Sequence, residues 1–450
     1  MRVVQLEIPH LGNRTHLVHD DRVAVVIDPP GDLSVVESAA CSAGVEIVAV
    51  AETHLHHDYV SSGLELSRRH HAAYLVAADE GVDFDHVGVH HHETLSFGDL
   101  DLRVIATPGH TPHHVSFLAT DQIDDPGVLF SGGSLLHGGV GRTDLTDPAL
   151  TPALTRAQWR TARRLTKLDA ETVLHPTHGV GSLCSWVPTA PSDDRATIGD
   201  QLRENPVLTR SRDAFSGSLS RGLDPVPAHY PHLVARNRRG PWSARPARRA
   251  GTSELRSALA RGAQVIDIRS RAAYADGHPA GSISVAHGPL FAAYAGWVTP
   301  WGSETVIVSD SEEDLESAEK QLASIGIEGI STVLLGRASK VPWAGHRRVD
   351  WAALADSQPA GIRVLLDVRR PEEWRAGHLL EALNIPVEEL AHRLDEVPDG
   401  QVWVHCQAGF RAGVAAGLLD RAGREVVLID DAFSAVHRLG LPVRRTHEAA

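Results

Sequence analysis

The chain has little cysteine, no long apolar run and no excess of basic charge, and each lack excludes something. Three cysteines in 450 residues (Cys41, Cys184, Cys406) are too few and too scattered for a disulfide framework. That suits a reducing compartment, where an isolated cysteine is either buried filler or a nucleophile. No apolar stretch is long enough to cross a bilayer, and no charged-then-apolar leader opens the sequence. The expectation is a soluble, cytoplasmic protein with no membrane partner. A formal charge of -14 argues against nucleic acid as a partner. Arginine far outnumbers lysine and alanine is abundant, a bias that suggests a bacterial source.

What is present in quantity is histidine. The 28 histidines gather in clusters, among them His54, His56 and His57, then His110, His113 and His114. Clustered histidine is the usual raw material of a metal site. The length exceeds one compact core, so two or three domains are expected.

The first segment alternates short β-branched runs with helical stretches. "VAVVIDPP", "VEIVAVAETHLHHD", "LDLRVIATPGH", "GVLFSGGS" and "TVLHPTHG" each end in a turn rich in Gly, His or Asp. "GLELSRRHHA" and "TRAQWRTARRLTKL" lie between them as helices. This is an α/β pattern whose polar residues sit just after strands, where open α/β folds place ligands. "ARNRRGPWSARPARRAGT" then reads as a linker. Beyond it, "AQVIDIRSRAAYADGHPAGSISVA" and "IRVLLDVRRPEEWRAGHLLEALNIPV" repeat one design: strand, Asp-x-Arg, helix, Gly-His, strand. This is an internal duplication. The expected domains are residues 1–240, 241–345 and 346–450.

"VWVHC" in the last segment is a strand ending at Cys406; "QAGFR" is a tight turn, and a helix follows. Backbone N–H groups at a helix start point into such a turn and favour negative charge, so the thiolate is stabilised. Gly409 lets the backbone curl around the sulfur, and Arg411 adds positive charge. The alternative for any lone cysteine is a buried structural role. The string C-x-x-G-x-R, with its upstream half "LLDVRRPEEWRAGHLLEALNIP", closely resembles the rhodanese family. That resemblance implies that Cys406 carries a sulfane sulfur as a persulfide, cradled by Gln407, Ala408, Gly409, Phe410 and Arg411. Asp367 and Arg369 match the family and read as a structural ion pair. In the middle copy Asp310 stands at the cysteine position in "DSEED", where acidic groups would repel an anionic substrate. That copy is expected to be catalytically dead, with a packing or docking role.

His54 and His56 alternate at one strand end, His110 and His178 follow others, and Asp58 completes the group. Nitrogen donors with one carboxylate suit zinc or iron. Through "THLHHD", "TPGHTPHH" and "HPTHG" the segment resembles the metallo-β-lactamase superfold, an αββα sandwich with metal at one edge. Joined to rhodanese repeats with parallel sheets, and with "GGVGRTDL" at 138–145, it is most similar to the persulfide dioxygenase branch. The resemblance implies one Fe(II) and a low-molecular-weight persulfide or thiol as substrate, with sulfite and thiosulfate as partners of Cys406. Two positions depart from it. Tyr59 replaces a second-site histidine, and Gly133 stands where the family has an Asp ligand. What remains is a three-histidine set, His54, His56 and His110. Asp58 is a ligand or a partner behind one, and His137 is a candidate substitute. Zinc, or no metal, is the alternative to iron. The readings are a persulfide dioxygenase coupled to a sulfurtransferase, a metal-dependent thioester hydrolase, or a metal-free binding module serving Cys406. Cys41 and Cys184 read as structural. A homo-oligomer paired through the first domain is compatible with the sequence.

Overall fold

The β-branched runs of the first segment form two sheets stacked face to face. In this computed structural model, residues 1–121, 125–179, 181–187, 196–223, 225–240, 245–336, 341–357 and 363–445 are described. The chain divides into two units, Met1–Ala244 with Ala323–Gly326, and Arg245–Leu322 with Ile327–Ala450.

In the first unit a six-stranded sheet runs in chain order from Arg2–Ile8 through Asn13–His19, Val23–Ile27, Glu46–Ala51 and Ala73–Ala77 to Val87–Val89. The second sheet has five strands, ordered Val173–Pro176, Val128–Gly132, Val115–Thr120, Leu100–Ala106 and Thr94–Phe97. Alternation along the strands sends Val25, Ile27, Ala49 and Leu75 from one sheet against Leu102, Val104, Phe117 and Phe130 from the other. The opposite faces are covered by helices. Val36 of Leu33–Ala43 and Leu66 of Gly63–His70 pack on Val26 and Ile47. Ala162 and Leu165 of Thr151–Leu165 pack on Leu129 and Leu174. This is the expected αββα sandwich. The strands ending at Ala51, Ala106, Gly132 and Pro176 run directly into the turns that carry His54, His110, Gly133 and His178.

Part of the linker expectation is overturned. Residues 235–239 belong to helix Tyr230–Arg239, whose apolar face is buried through Tyr230 and Leu233. Its Asn237 is also buried and donates to the backbone carbonyls of His56 and Tyr59, both at 2.9 Å. Arginine-rich composition hid a helix that holds the histidine loop. Residues 241–244 of that stretch lie outside the described residues.

The second unit shows the duplication twice over. One five-stranded parallel sheet is ordered Arg248–Arg249, Ser331–Leu334, Thr305–Ser309, Gln264–Asp267, Ile283–Ser284. The other is ordered Arg347–Val349, Val426–Ile429, Gln401–His405, Arg363–Asp367, Leu383–Asn384. In each, a buried carboxylate closes on the arginine two residues on. Arg269 Nη2 donates to Asp267 Oδ2, and Arg369 Nη2 to Asp367 Oδ2, both at 2.6 Å. The same guanidinium nitrogens also donate to the Gly277 and Gly377 carbonyls at 2.8 Å, tying strand, turn and helix end together. Asp367 and Arg369 are therefore structural, as their sequence position suggested.

Candidate metal centre and cysteine loop

At the sheet edge of the first unit the histidines are packed ring against ring. His54 lies 4.8 Å from His110 and 5.4 Å from His178, centroid to centroid, and His110 lies 5.2 Å from His178. All three are fully or almost fully buried. Burial drives His110 and His178 down to about 3 and His54 well below its ordinary value, so each ring is neutral and keeps a lone pair.

Hydrogen bonds orient those lone pairs. His110 Nδ1 meets the Arg142 carbonyl at 2.6 Å, so it is the donor there and Nε2 carries the lone pair, with no partner. Arg142 is itself buried and bound to Asp144 at 2.7 Å, which gives the "GGVGRTDL" stretch a physical role in aiming His110. Asn13 donates through Nδ2 to Asp58 Oδ2 at 2.7 Å, leaving Asn13 Oδ1 to accept from His178 Nδ1 at 3.1 Å. Thr53 Oγ1 donates to Asp28 Oδ2 at 2.7 Å and meets His54 Nδ1 at 2.9 Å. The Nε2 atoms of His54 and His178 then face each other at 3.4 Å. Two lone pairs so placed repel unless a cation lies between them. Asp58 thus stands behind His178, through Asn13. His137 points its Nε2 at the Leu174 carbonyl, 3.0 Å away.

His56 departs from expectation. Its Nε2 sits 3.2 Å from Asp28 Oδ1 and 3.1 Å from Glu52 Oε2. Burial pushes this ring down, but the two carboxylates outweigh it and hold His56 up at about 10. Burial likewise pushes Asp28 up, yet the His56 charge and hydrogen bonds from His56, Thr177 and Thr53 keep it below the ordinary carboxylate range. Glu52 is raised by its burial. His56 Nε2 is therefore engaged by two carboxylates. Tyr59 packs on its ring at 4.3 Å and its hydroxyl donates to the Asp28 carbonyl at 3.3 Å.

Among the described residues, three donor groups have ligand atoms within 4.8 Å of one another: His54, His56 and His178; His110, His178 and Cys184; Asp28, Glu52 and His56. His54, His56 and His110 are not gathered as one set. Cys184, read from sequence as structural filler, instead lies among the donors. The carboxylate ligand that the resemblance places at position 133 does not fit here. A Cβ added at Gly133 would fall 2.3 Å from His110 Cδ2, so the missing carboxylate has no room to be supplied there. The imidazole and thiol donors of the His110, His178 and Cys184 group suit a softer ion. Asp28, Glu52, Asn13, Asn237 and Cys184 escaped the sequence reading. Only the "AETH" and "VIDPP" strand ends offered a signal, polar residues just past a strand.

In the second unit the cysteine loop forms as expected. Gln401–His405 delivers Cys406, buried at the head of the twelve-residue helix Phe410–Arg421. The Gly409 N–H donates to Cys406 Sγ at 3.2 Å. Gly409 takes φ 89, and an added Cβ would lie 2.0 Å from Asp430 Oδ1. Gln407 and Ala408 are exposed, Phe410 half-buried. Arg411 does not offer an unshared charge; it clamps Glu373 with both terminal nitrogens, at 2.5 and 2.7 Å. The middle copy contributes here too. Its Tyr294 ring meets Phe410 edge-on at 5.2 Å, and its Arg271 binds Asp430 at 2.9 Å. Asp310, at the cysteine position of that copy, is exposed before a helix opening with Glu312, Glu313 and Asp314.

Comparison with known proteins matches both halves. A hydroxyacylglutathione hydrolase of Synechococcus sp. (strain JA-3-3Ab) is 36% identical over 251 residues, which is 50% of this chain and 95% of that protein. The chain belongs to the metallo-β-lactamase-fold family. Behind that half, the family model "Rhodanese-like domain" matches residues 252–337 and 350–439. A hydroxyacylglutathione hydrolase-like protein of Mus musculus is 30% identical over 224 residues, 44% of this chain and 77% of the mouse protein. Among solved structures, a metallo-beta-lactamase from Staphylococcus aureus subsp. aureus COL aligns with a TM-score of 0.64 at 24% identity. It covers 74% of this metallo-β-lactamase-fold chain and 98% of its own, a likeness of fold. Among the described residues, no helix is long and apolar enough to cross a membrane.

Proposed function

We propose that this chain works in persulfide metabolism, with Cys406 as a sulfurtransferase nucleophile. The observation that carries the reading is the cradle: a buried sulfur at a helix N-terminus, with the left-handed Gly409 donating its N–H to it. The Cys406 thiolate attacks the outer sulfur of a low-molecular-weight persulfide. The S–S bond breaks, the thiolate of the small molecule leaves, and Cys406 holds a persulfide. Sulfite then attacks that outer sulfur, releasing thiosulfate and restoring Cys406. Arg411 and Glu373 brace the loop. The Tyr294 and Arg271 contacts support a packing role for the middle, acidic copy.

The first unit is read as the persulfide dioxygenase-like source of that sulfite; with no room for a carboxylate at Gly133, the iron this reading calls for would have to be held by the imidazoles of His54, His110 and His178 alone. One persulfide, one dioxygen and one water give one thiol and one sulfite. The sequestered His56 and the aimed His110 support a single-ion site over a paired one. Partners on this reading are a thiol persulfide, sulfite and thiosulfate in a reducing bacterial cytoplasm, with no nucleic acid or membrane. Pairing of two copies through the first unit is part of the proposal.

A second reading has its own support, since the curated relatives carry the name hydroxyacylglutathione hydrolase. On it the first unit cleaves a thioester of glutathione, with zinc as its metal. The test is one set of assays on protein purified without air or chelator. Oxygen uptake with glutathione persulfide and near-stoichiometric iron favour the first reading. Zinc with thioester cleavage favours the second. No metal and neither activity leave the first unit a binding module. A Cys406→Ser variant that retained full sulfur transfer from thiosulfate would end the sulfurtransferase assignment.

A further inference from the structure

We propose that Cys184 is a metal ligand, completing with His110 and His178 a nitrogen–sulfur site that selects zinc-like ions. This rests on the reading of the first unit as a metal-dependent domain, and goes beyond it in the identity of the donor. Three observations carry it. First, the ligand atoms of His110, His178 and Cys184 lie within 4.8 Å of one another, and all three residues are 0% exposed. Bond lengths of about 2.0 Å to nitrogen and 2.3 Å to sulfur set tetrahedral donor spacings near ~3.5 Å, so small side-chain rotations close the set. Second, His110 Nε2 is buried with no hydrogen-bond partner while its Nδ1 is held by the Arg142 carbonyl. A buried, oriented lone pair without a partner is costly unless something accepts it. Third, the place of the ordinary carboxylate is closed, because a Cβ at Gly133 would collide with the His110 ring at 2.3 Å.

The alternative histidine group is weaker, since His56 Nε2 is already shared between Asp28 and Glu52. His54, whose Nε2 lies 3.4 Å from that of His178, stands beside the site as a further nitrogen donor. On binding, the Cys184 S–H gives its proton to solvent and the thiolate takes the ion. The backbone supports that position: the Cys184 carbonyl accepts from Arg142 N–H at 2.9 Å, and Ser182 Oγ accepts from Cys184 N–H at 3.3 Å. The arginine segment that aims His110 therefore also anchors Cys184. A thiolate among imidazoles suits zinc or cobalt, so this donor set agrees with the hydrolase reading of the first unit better than with the iron one.

The test is anaerobic cobalt(II) titration of the full chain carrying Cys41→Ser and Cys406→Ser, so that Cys184 is the sole thiol. The expected result is a sulfur-to-cobalt charge-transfer band saturating at one ion per chain. Further replacement by Cys184→Ser should remove the band. It should also weaken cobalt binding by roughly 10–100-fold or more, a penalty already typical of groups one step behind a ligand. Cobalt bound without the band would overturn the assignment while leaving a histidine metal site. No cobalt bound at all would overturn both it and the metal-dependent reading. The band in the sole-thiol protein stands as evidence whether or not the serine variant folds.

Discussion

The ring of His110 occupies the space that any side chain at Gly133 would need, with Cδ2 only 2.3 Å from the Cβ position. Gly133 also donates its N–H to His114 Nε2 at 2.9 Å, so its backbone is pinned from the other side. Neither partner has freedom to yield. Gly133→Asp is therefore expected to displace His110 rather than restore a carboxylate ligand. Overpacking of this kind costs about 1–3 kcal/mol. A lower melting temperature and no gain in iron content, by calorimetry and metal analysis, is the expected outcome. A stable, iron-loaded variant would contradict it.

The cysteine loop depends on backbone shape. Gly409→Ala adds a Cβ at φ 89 against the Asp430 carboxylate. A left-handed non-glycine residue costs about 1–3 kcal/mol before the collision is counted. Thiosulfate sulfurtransferase activity should fall at least as far as those energies imply, roughly tenfold or more. Oxygen uptake or thioester cleavage by the first unit should be unchanged.

The ion pairs of the duplicated sheets predict unequal costs. The Asp367 and Arg369 side chains are 0% and 3% exposed, whereas Arg269 in the middle copy is 10% exposed. Breaking a buried pair leaves an uncompensated charge and costs about 3–5 kcal/mol. Asp367→Asn should therefore destabilise more than Asp267→Asn in chemical denaturation. Equal midpoints would show that Arg369 finds other partners.

The buried histidines of the first unit predict a stability optimum in pH for protein stripped of metal by chelator. His110 and His178 fall to about 3 in the folded chain from an ordinary 6.5. Their neutral forms support folding above pH ~6.5, and that support is lost as pH falls toward 3. His56 moves the other way, to about 10, so its contribution is complete below pH ~6.5 and is lost as pH rises through 10. Melting temperature should decline on both sides. His56→Gln should flatten the alkaline limb; an alkaline limb unchanged by that substitution would remove the ion pair as its cause.

Asn237 predicts a coupling between a distant helix and the histidine loop. Its side chain donates to the His56 and Tyr59 carbonyls and accepts from Ser61 N–H at 3.0 Å. Asn237→Ala leaves those groups buried without partners, at about 1–3 kcal/mol. Faster amide exchange at Ser61 is the expected signature.

What the sequence by itself determined is local. Strand runs ending in histidine turns, the repeated Asp-x-Arg and Gly-His pattern, and the Cys406 loop all follow from periodicity and turn chemistry over a few residues, and all formed in the places expected. What the tertiary structure alone decided is which of those groups meet. Asp28 reaches Thr177 across 149 positions, Asn13 reaches Asp58 across 45, and Asn237 reaches His56 across 181. Those contacts exist because two sheets close face to face and bring separate strand ends to one edge. That closure gives His56 to a pair of carboxylates, aims His110 from the Arg142 carbonyl, and sets Cys184 among the nitrogen donors. No spacing in the chain encodes those choices. They follow from burial, which forces every polar group at that edge to take the partner the fold puts within reach.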